Sequence, residues 1–338
     1  MGKRGLGIAA SEYVERLADA AEAEELCIDA SKDHRLHRLM ERRVKRGGYV
    51  MPFPLAYVRA STWKRMPFTR RSRFVVRTVA RRHPGWVFCL DSAAVLHGLE
   101  VSGVDPGVVH VVTSREAHTK SSPHVVRHLM DTPDIVSCNG VLATSLWQTA
   151  VTYMAWNDFR HGLVVADSVL KAAGANVNEL RDRIRQERLG PLERERALCC
   201  AGWADPRSDN GGESFSRATM ILLNFEVPEL QVPFDDEIRP GKKHYADFCW
   251  RTDSGIVIGE LDGFDKYNNE DMTQGRSVVR VMADERIRES HLTLSAARIM
   301  RFRFSDAEDM EPLRQLMEKF GIPHRMPIPV ATEAVSAA

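Results

Sequence analysis

The chain lacks any apolar run near the ~18 residues that a membrane-spanning helix needs. Met1-Gly2-Lys3-Arg4 does not lead into the apolar core of a secretory signal. A cytoplasmic protein with no membrane partner is therefore expected. The six cysteines, Cys27, Cys89, Cys138, Cys199, Cys200 and Cys249, form no C-x-x-C pair. They are too sparse for a disulfide scaffold, so reduced, mostly core thiols are expected and a structural zinc is not. Repeats and low-complexity tracts are missing as well. The most informative absence is one of charge. Between Glu41 and Asp91 there is no acidic residue, while Arg42, Arg43, Lys45, Arg46, Arg59, Lys64, Arg65, Arg70, Arg71, Arg73, Arg77, Arg81 and Arg82 are all basic. The overall balance of +1 hides this asymmetry. Such a block suits a phosphate backbone. The competing reading is a set of surface helices balanced in space by acids of the first helix or of the C-terminal half.

At 338 residues with 43% apolar content, the chain has the composition of a soluble globular protein and the length for two or three domains. Val14, Leu17, Ala18 and Ala21 recur at helical spacing after Ser11, a plausible N-cap. A second helix starts near Ser31, with Leu36, Leu39 and Met40 inward and Arg35, His37, Arg38, Arg42 and Arg43 outward. Gly47-Gly48 then turns the chain into the short ribbon Tyr49-Val50-Met51, capped by Pro52 and Pro54. Helix, turn, basic helix and ribbon outline a winged helix-turn-helix, although a generic helical hairpin shares the pattern. Arg35, Arg38, Arg42, Arg43, Lys45 and Arg46 are its candidate DNA contacts. Further on, Leu90-Asp91-Ser92-Ala93-Ala94-Val95-Leu96-His97-Gly98-Leu99 reads as a closely packed helix ended by Gly98. It resembles the Ser-Ala-Ala-x-Leu-x-Gly-Leu helix of AbiE-type antitoxins of type IV toxin-antitoxin systems. Thr144 before the helix from Leu146 to about Trp156, and the helical stretch Val164–Ala173, extend that resemblance over about residues 10–175. It implies a DNA-binding regulator whose second partner is a cognate toxin. The histidines His110, His118, His124 and His128 have no ligand spacing and read as loop and strand residues.

Ala204 to Gly212 is the clearest linker. After it, His244 to Tyr267 reads as strand, turn, strand: Tyr245, Phe248 and Trp250 favour a strand, Arg251 to Gly255 a turn, and Ile256-Val257-Ile258 a second strand running into Glu260, Leu261 and Asp262. Alternation puts Glu260 and Asp262 on one face and Leu261 in the core. If Asp247 stands opposite, three carboxylates converge, each close pair repelling by roughly 4 kcal/mol at an effective dielectric of ~20. A divalent cation removes that penalty, and an all-oxygen set suits Mg²⁺ or Mn²⁺. The alternative is solvated acids that blunt an edge strand.

An acid, a tight turn and an apolar run ending in Glu-x-Asp-Gly resemble the PD-(D/E)XK nuclease core, in a variant similar to very-short-patch repair endonucleases. Glu213-Ser214-Phe215-Ser216-Arg217, Val227 to Gln231, Glu285-Arg286-Ile287-Arg288-Glu289 and Ala297 to Phe304 carry the likeness over about residues 205–310. The resemblance implies metal held by Asp247, Glu260 and Asp262, a catalytic set of Glu213, Asp247, Glu260, Asp262 and Lys266, and support from Gln231 and Arg288. The family's lysine two residues after the Glu is Asp262 here, leaving Lys266 as the nearby cation. The expected fold is α/β (α+β overall), with a winged helix-turn-helix (1–60), a middle antitoxin-like α/β domain (61–203), a restriction-endonuclease-like mixed sheet flanked by helices (204–322) and a loose tail (323–338). The expected function is a DNA-binding protein with a Mg²⁺-dependent endonuclease-like domain. The alternative is an antitoxin-like transcriptional regulator with a degenerate nuclease fold.

Overall fold

The computed structural model describes residues 3–115, 120–236, 241–262 and 297–326. The protein is mixed α/β with small sheets, and none of the helices described is long and apolar enough to cross a membrane. The chain divides into two compact units, residues Met1–Gly98 with Gly103–Thr149, and Leu99–Ser102 with Ala150–Ala338.

In the first unit, α1 (Lys3–Ala23) is followed by β1 (Ile28–Asp29) and α2 (His34–Lys45). The Asp33 carboxylate starts α2 by accepting from the Arg35 and Leu36 N–H groups at 2.8 and 3.0 Å. Val14 and Ala18, one turn apart on α1, pack against Leu36 and Met40, which are one turn apart on α2. Gly47, at φ +77°, reverses the chain into β2 (Tyr49–Phe53). β3 (Ala56–Arg59) pairs antiparallel with both β1 and β2, giving the order β1-β3-β2. Pro52 sits in β2, at the sheet edge, where its missing N–H does least harm. The ribbon is thus longer than the Tyr49–Met51 expected and closes as a full hairpin.

Then come α3 (Ala60–Arg65), α4 (Phe68–Arg82), α5 (Leu90–His97), β4 (Val109–Thr113), β5 (Val125–Leu129), β6 (Ile135–Cys138), β7 (Val141–Thr144) and the first turn of α6 (Leu146–Trp156), most of which belongs to the second unit. β4 and β5 are parallel, β6 and β7 antiparallel, and Phe88 bridges the two ladders through Val111 and Ala143. Ser92, Ala93 and Ala94 are buried, with the Ser92 hydroxyl accepting from the His110 N–H, as close packing of α5 requires. Gly98 closes the helix in the left-handed region, at φ +74°.

The second unit carries α7 (Phe159–Ala173), α8 (Val177–Gln186), α9 (Pro191–Trp203), α10 (Gly211–Leu222), β8 (Glu229–Asp235), β9 (Lys243–Thr252), β10 (Gly255–Asp262), β11 (Ala297–Arg303), α12 (Phe304–Asp309) and α13 (Glu311–Lys319). β8, β9 and β10 form an antiparallel meander, and β11 joins β10 in parallel, giving the order β11-β10-β9-β8. Phe248, Trp250, Val257, Met300 and Phe302 of the sheet pack with Met220 of α10 and with Leu313 and Met317 of α13. Each side chain of that size contributes roughly 1.5 to 3 kcal/mol when fully buried.

Two expectations about chain organisation are revised. Ala204 to Gly212, read as a linker, lies inside the second unit. The Asp205 N–H donates to Asp167 of α7 at 2.7 Å, and Asp167 accepts both 2.8 Å bonds of Arg217 on α10. That pair is 3% exposed on each side and binds α7 to α10. The second revision concerns residues 323–326, read as the start of a loose tail. His324 stacks on Phe225, while Arg325 donates to the Phe225 and Ile221 carbonyls and lies over the Trp203 ring. Planar groups on aromatic faces hold the segment where Pro and Ala content suggests none.

Candidate active site and basic surface

The acidic site grows from the hairpin of β9 and β10. Gly255, at φ +113°, closes the turn. The register runs from Gly255↔Thr252 to Gly259↔Phe248, so the next step places Glu260 opposite Asp247. There the ladder ends in a side-chain bond: the Leu261 N–H donates to Asp247 Oδ2 at 3.0 Å. Gly259 has no room for a side chain, because a Cβ would come within 2.9 Å of the Trp250 ring. This close packing fixes the level at which Glu260 sits, and its side chain is only 4% exposed.

Glu213 comes from the first turn of α10. The Asn210 side chain caps the helix by accepting from the Gly212 and Glu213 N–H groups at 2.9 and 3.1 Å. The Glu213 carboxylate reaches back and accepts from the Asp209 N–H and Asn210 Nδ2, each at 2.7 Å. Gln231 Nε2 adds a third bond at 3.1 Å. Gln231 itself has φ +51° and falls between the paired positions Leu230↔Phe248 and Val232↔Ala246 of the β8–β9 ladder. A non-glycine residue in that region is strained, and the strain here coincides with a contact to the buried acid. Glu213 is 3% exposed. Burial first, and then the Asp247 charge, push its carboxyl up to about 7, against the lowering effect of the Asp209 and Gln231 bonds.

Asp247 is thus close to Glu213 and stands across the end of the ladder from Glu260. Asp262 departs from the expected arrangement: it forms an ion pair with Arg301 of β11 at 3.0 Å and is 41% exposed. Its charge has a partner already, so it adds less to the mutual repulsion. Lys266 and Arg288, with Glu285 to Glu289, lie outside the described residues. Among the described residues no group of three or more His, Cys, Asp or Glu side chains could hold a metal ion. Asp247 and Glu260 remain as a two-carboxylate donor set. Mg²⁺ commonly binds through one or two carboxylates, with waters and substrate oxygens completing the shell. Two adjacent oxygen donors fit that demand, and they do not fit zinc, which prefers nitrogen and sulfur.

Two residues of this site were missed in sequence. Asn210 carried a usable signal, since Asn210-Gly211-Gly212-Glu213 has the spacing of a capping box. Arg301 carried none, because its pairing depends on β11 lying parallel to β10.

In the first unit the basic block splits. Arg59 meets Glu15, Asp19 and Glu22; Arg70, Arg73 and Arg77 meet Glu25; Arg81 meets Glu24; and Arg82 meets Asp29. Arg71 donates to the Trp63 and Lys64 carbonyls and lies over the Trp63 and Phe68 rings. Nearby acids account for the charge of Arg59, Arg81 and Arg82, and local packing holds Arg71, while Arg70, Arg73 and Arg77 share the one carboxylate of Glu25. Arg35, Arg38, Arg42, Lys45 and Arg46 differ. They are exposed and form no ion pair among the described residues. From Arg35 to Lys45 their spacings of three, four and three residues put them along one stripe of α2. Arg43 is half-buried beside that stripe.

No protein-family model matches the chain, and no curated protein matches it in sequence.

Proposed function

We propose that the protein is a DNA-binding phosphodiesterase, in which α2 and its β2–β3 ribbon contact the DNA backbone and Asp247 and Glu260 hold Mg²⁺ or Mn²⁺ for phosphodiester hydrolysis. The observation that carries this reading is the end of the β9–β10 ladder, where half-buried Asp247 stands across from buried Glu260 and close enough to buried Glu213 for its charge to push that carboxyl up. Carboxylates repel a phosphate substrate unless a cation intervenes, so an acidic cluster on a DNA-binding protein makes chemical sense as a cation site. The divalent cation supplies charge to the scissile phosphate and makes water a stronger nucleophile. Asp247 and Glu260 hold it, and the Leu261 N–H orients Asp247 Oδ2. Gln231 and Asn210 orient Glu213, whose carboxyl can take or give a proton near neutral pH. The mixed sheet, with three antiparallel strands and a parallel fourth, and the resemblance to PD-(D/E)XK nucleases support the same reading.

The regulator reading, with a degenerate nuclease fold, is favoured by one observation. The position that carries the lysine in that family is Asp262, engaged by Arg301. One experiment separates the two. Wild type and Asp247→Ala are incubated with supercoiled and linear DNA, with and without Mn²⁺, and thermal unfolding is followed in parallel. A nuclease predicts cation-dependent nicking and a cation-dependent rise in melting temperature, both lost in Asp247→Ala. Cation stabilisation without nicking on any DNA or RNA supports the regulator. No cation response in wild type overturns the site itself.

A further inference from the structure

Arg70, Arg73 and Arg77 of α4 are balanced only in part, and Arg73 and Arg77 face a recess. Among the described residues, Glu25 is the one carboxylate paired with Arg70, Arg73 and Arg77, at 3.2, 3.9 and 3.7 Å. Three guanidinium charges against one carboxylate leave two positive charges in excess. The bonding is also incomplete. Arg73 and Arg77 lie beyond hydrogen-bond distance of Glu25, and Arg73 Nε is taken by the Val95 carbonyl. The Arg77 guanidinium donates no hydrogen bond to any described residue, although only 26% of the side chain is exposed. A half-buried guanidinium with its donors unspent is an acceptor-seeking group.

Arg73 and Arg77 line a recess of about 180 Å³, together with Glu25, His97, Cys138 and Asn139. Arg77 and Asn139 also line an adjoining recess of about 320 Å³, whose wall includes Leu26, Pro84, Trp86 and Leu142. The first is polar and cationic; the second combines an aromatic and aliphatic wall with the side chains of Arg77, Arg81 and Asn139. We propose that the first recess binds the dianionic phosphate of a small phosphomonoester, whose organic group occupies the second. The charge decides between phosphate types. A phosphomonoester carries about −1.5 to −2 at neutral pH, matching the excess of two that Arg73 and Arg77 present once Arg70, outside the recess, takes the closest pairing with Glu25, whereas a backbone diester carries one negative charge. Arginine forks suit the tetrahedral oxygens, with paired N–H donors in one plane. This site is separate from the α2 stripe and uses none of its residues.

Titration calorimetry tests the assignment with inorganic phosphate as monoester probe and dimethyl phosphate as diester probe, at ionic strength held constant with chloride. Phosphate binds wild type, and dimethyl phosphate binds at least about tenfold more weakly for want of the second charge. Arg77→Gln lowers the phosphate affinity at least about tenfold, by removing a charge-assisted donor pair. Glu25→Gln raises it, because the competing carboxylate is gone; a purely structural role for Glu25 gives no such gain. The proposal is overturned if phosphate gives no heat above the chloride control, or if Glu25→Gln weakens binding. Equal affinity for dimethyl phosphate overturns the dianion assignment and points to a nucleic-acid backbone.

Discussion

Replacing Glu213 with Gln isolates the electrostatic strain of the acidic site. In the folded protein this carboxyl is pushed up to about 7 from an ordinary 4.5, chiefly by burial and then by the Asp247 charge. A raised carboxyl pKa means that the native state binds more protons than the unfolded chain between those two values. Its favourable contribution is therefore fully present below about pH 4.5 and is lost as pH rises through 7. The difference of 2.5 units, from 7 less 4.5, corresponds to about 3 kcal/mol at ~1.4 kcal/mol per unit, and most of it develops between roughly pH 5 and 8. Gln removes the titration but presents an NH₂ group where an oxygen accepts from Asn210 Nδ2. Asn210 cannot turn over without surrendering its cap on α10, so one bond, worth about 1 kcal/mol, is lost at every pH. Glu213→Gln is thus expected to be less stable than wild type at pH 5 by roughly 1 kcal/mol or less, and more stable at pH 8 by roughly 2 kcal/mol. Urea unfolding of both proteins across that range reads the difference, in which other titrating groups cancel. Parallel curves for the two proteins would refute the argument, since they mean that Glu213 keeps an ordinary pKa and that Asp247 is not close enough to matter.

Two further outcomes follow from the charges. Replacing Arg35, Arg42 and Arg46 with Ala should weaken DNA binding and flatten the plot of log affinity against log salt by about one unit per lost phosphate contact. Arg70→Ala and Arg81→Ala, which remove bases paired to Glu25 and Glu24, should change that slope little; equal slopes for all variants would move the DNA surface away from α2. Asp167→Ala leaves Arg217 buried without its carboxylate and should destabilise the second unit by about 3 to 5 kcal/mol. A loss below about 1 kcal/mol in chemical denaturation would show that water reaches Arg217 and repairs the site.

Local pattern alone determined the parts of this protein in which neighbours in the chain are also neighbours in space. The β9–β10 hairpin, with Asp247 facing Glu260, was legible because a run of strand-forming residues, a turn at Asp253-Ser254-Gly255 and a period of two suffice to set it. Helix α2 and its outward bases were legible from Leu36, Leu39 and Met40, and the end of α5 from Gly98. Charge balance was not. The acids that neutralise Arg59 lie 37 to 44 residues away along the chain, and Glu24 lies 57 from Arg81. Only tertiary packing brings them together, α1 against β2 and β3 for Arg59 and the segment after α1 against α4 for Arg81. Asp262 looks in sequence like a third ligand, yet its partner Arg301 arrives on a strand 39 residues later. A Coulomb interaction depends on the distance between surfaces and on the water excluded between them, and neither is written in a one-dimensional order of charges. The sequence could therefore name the acids and the bases, while the tertiary structure decided which of them are paired with one another.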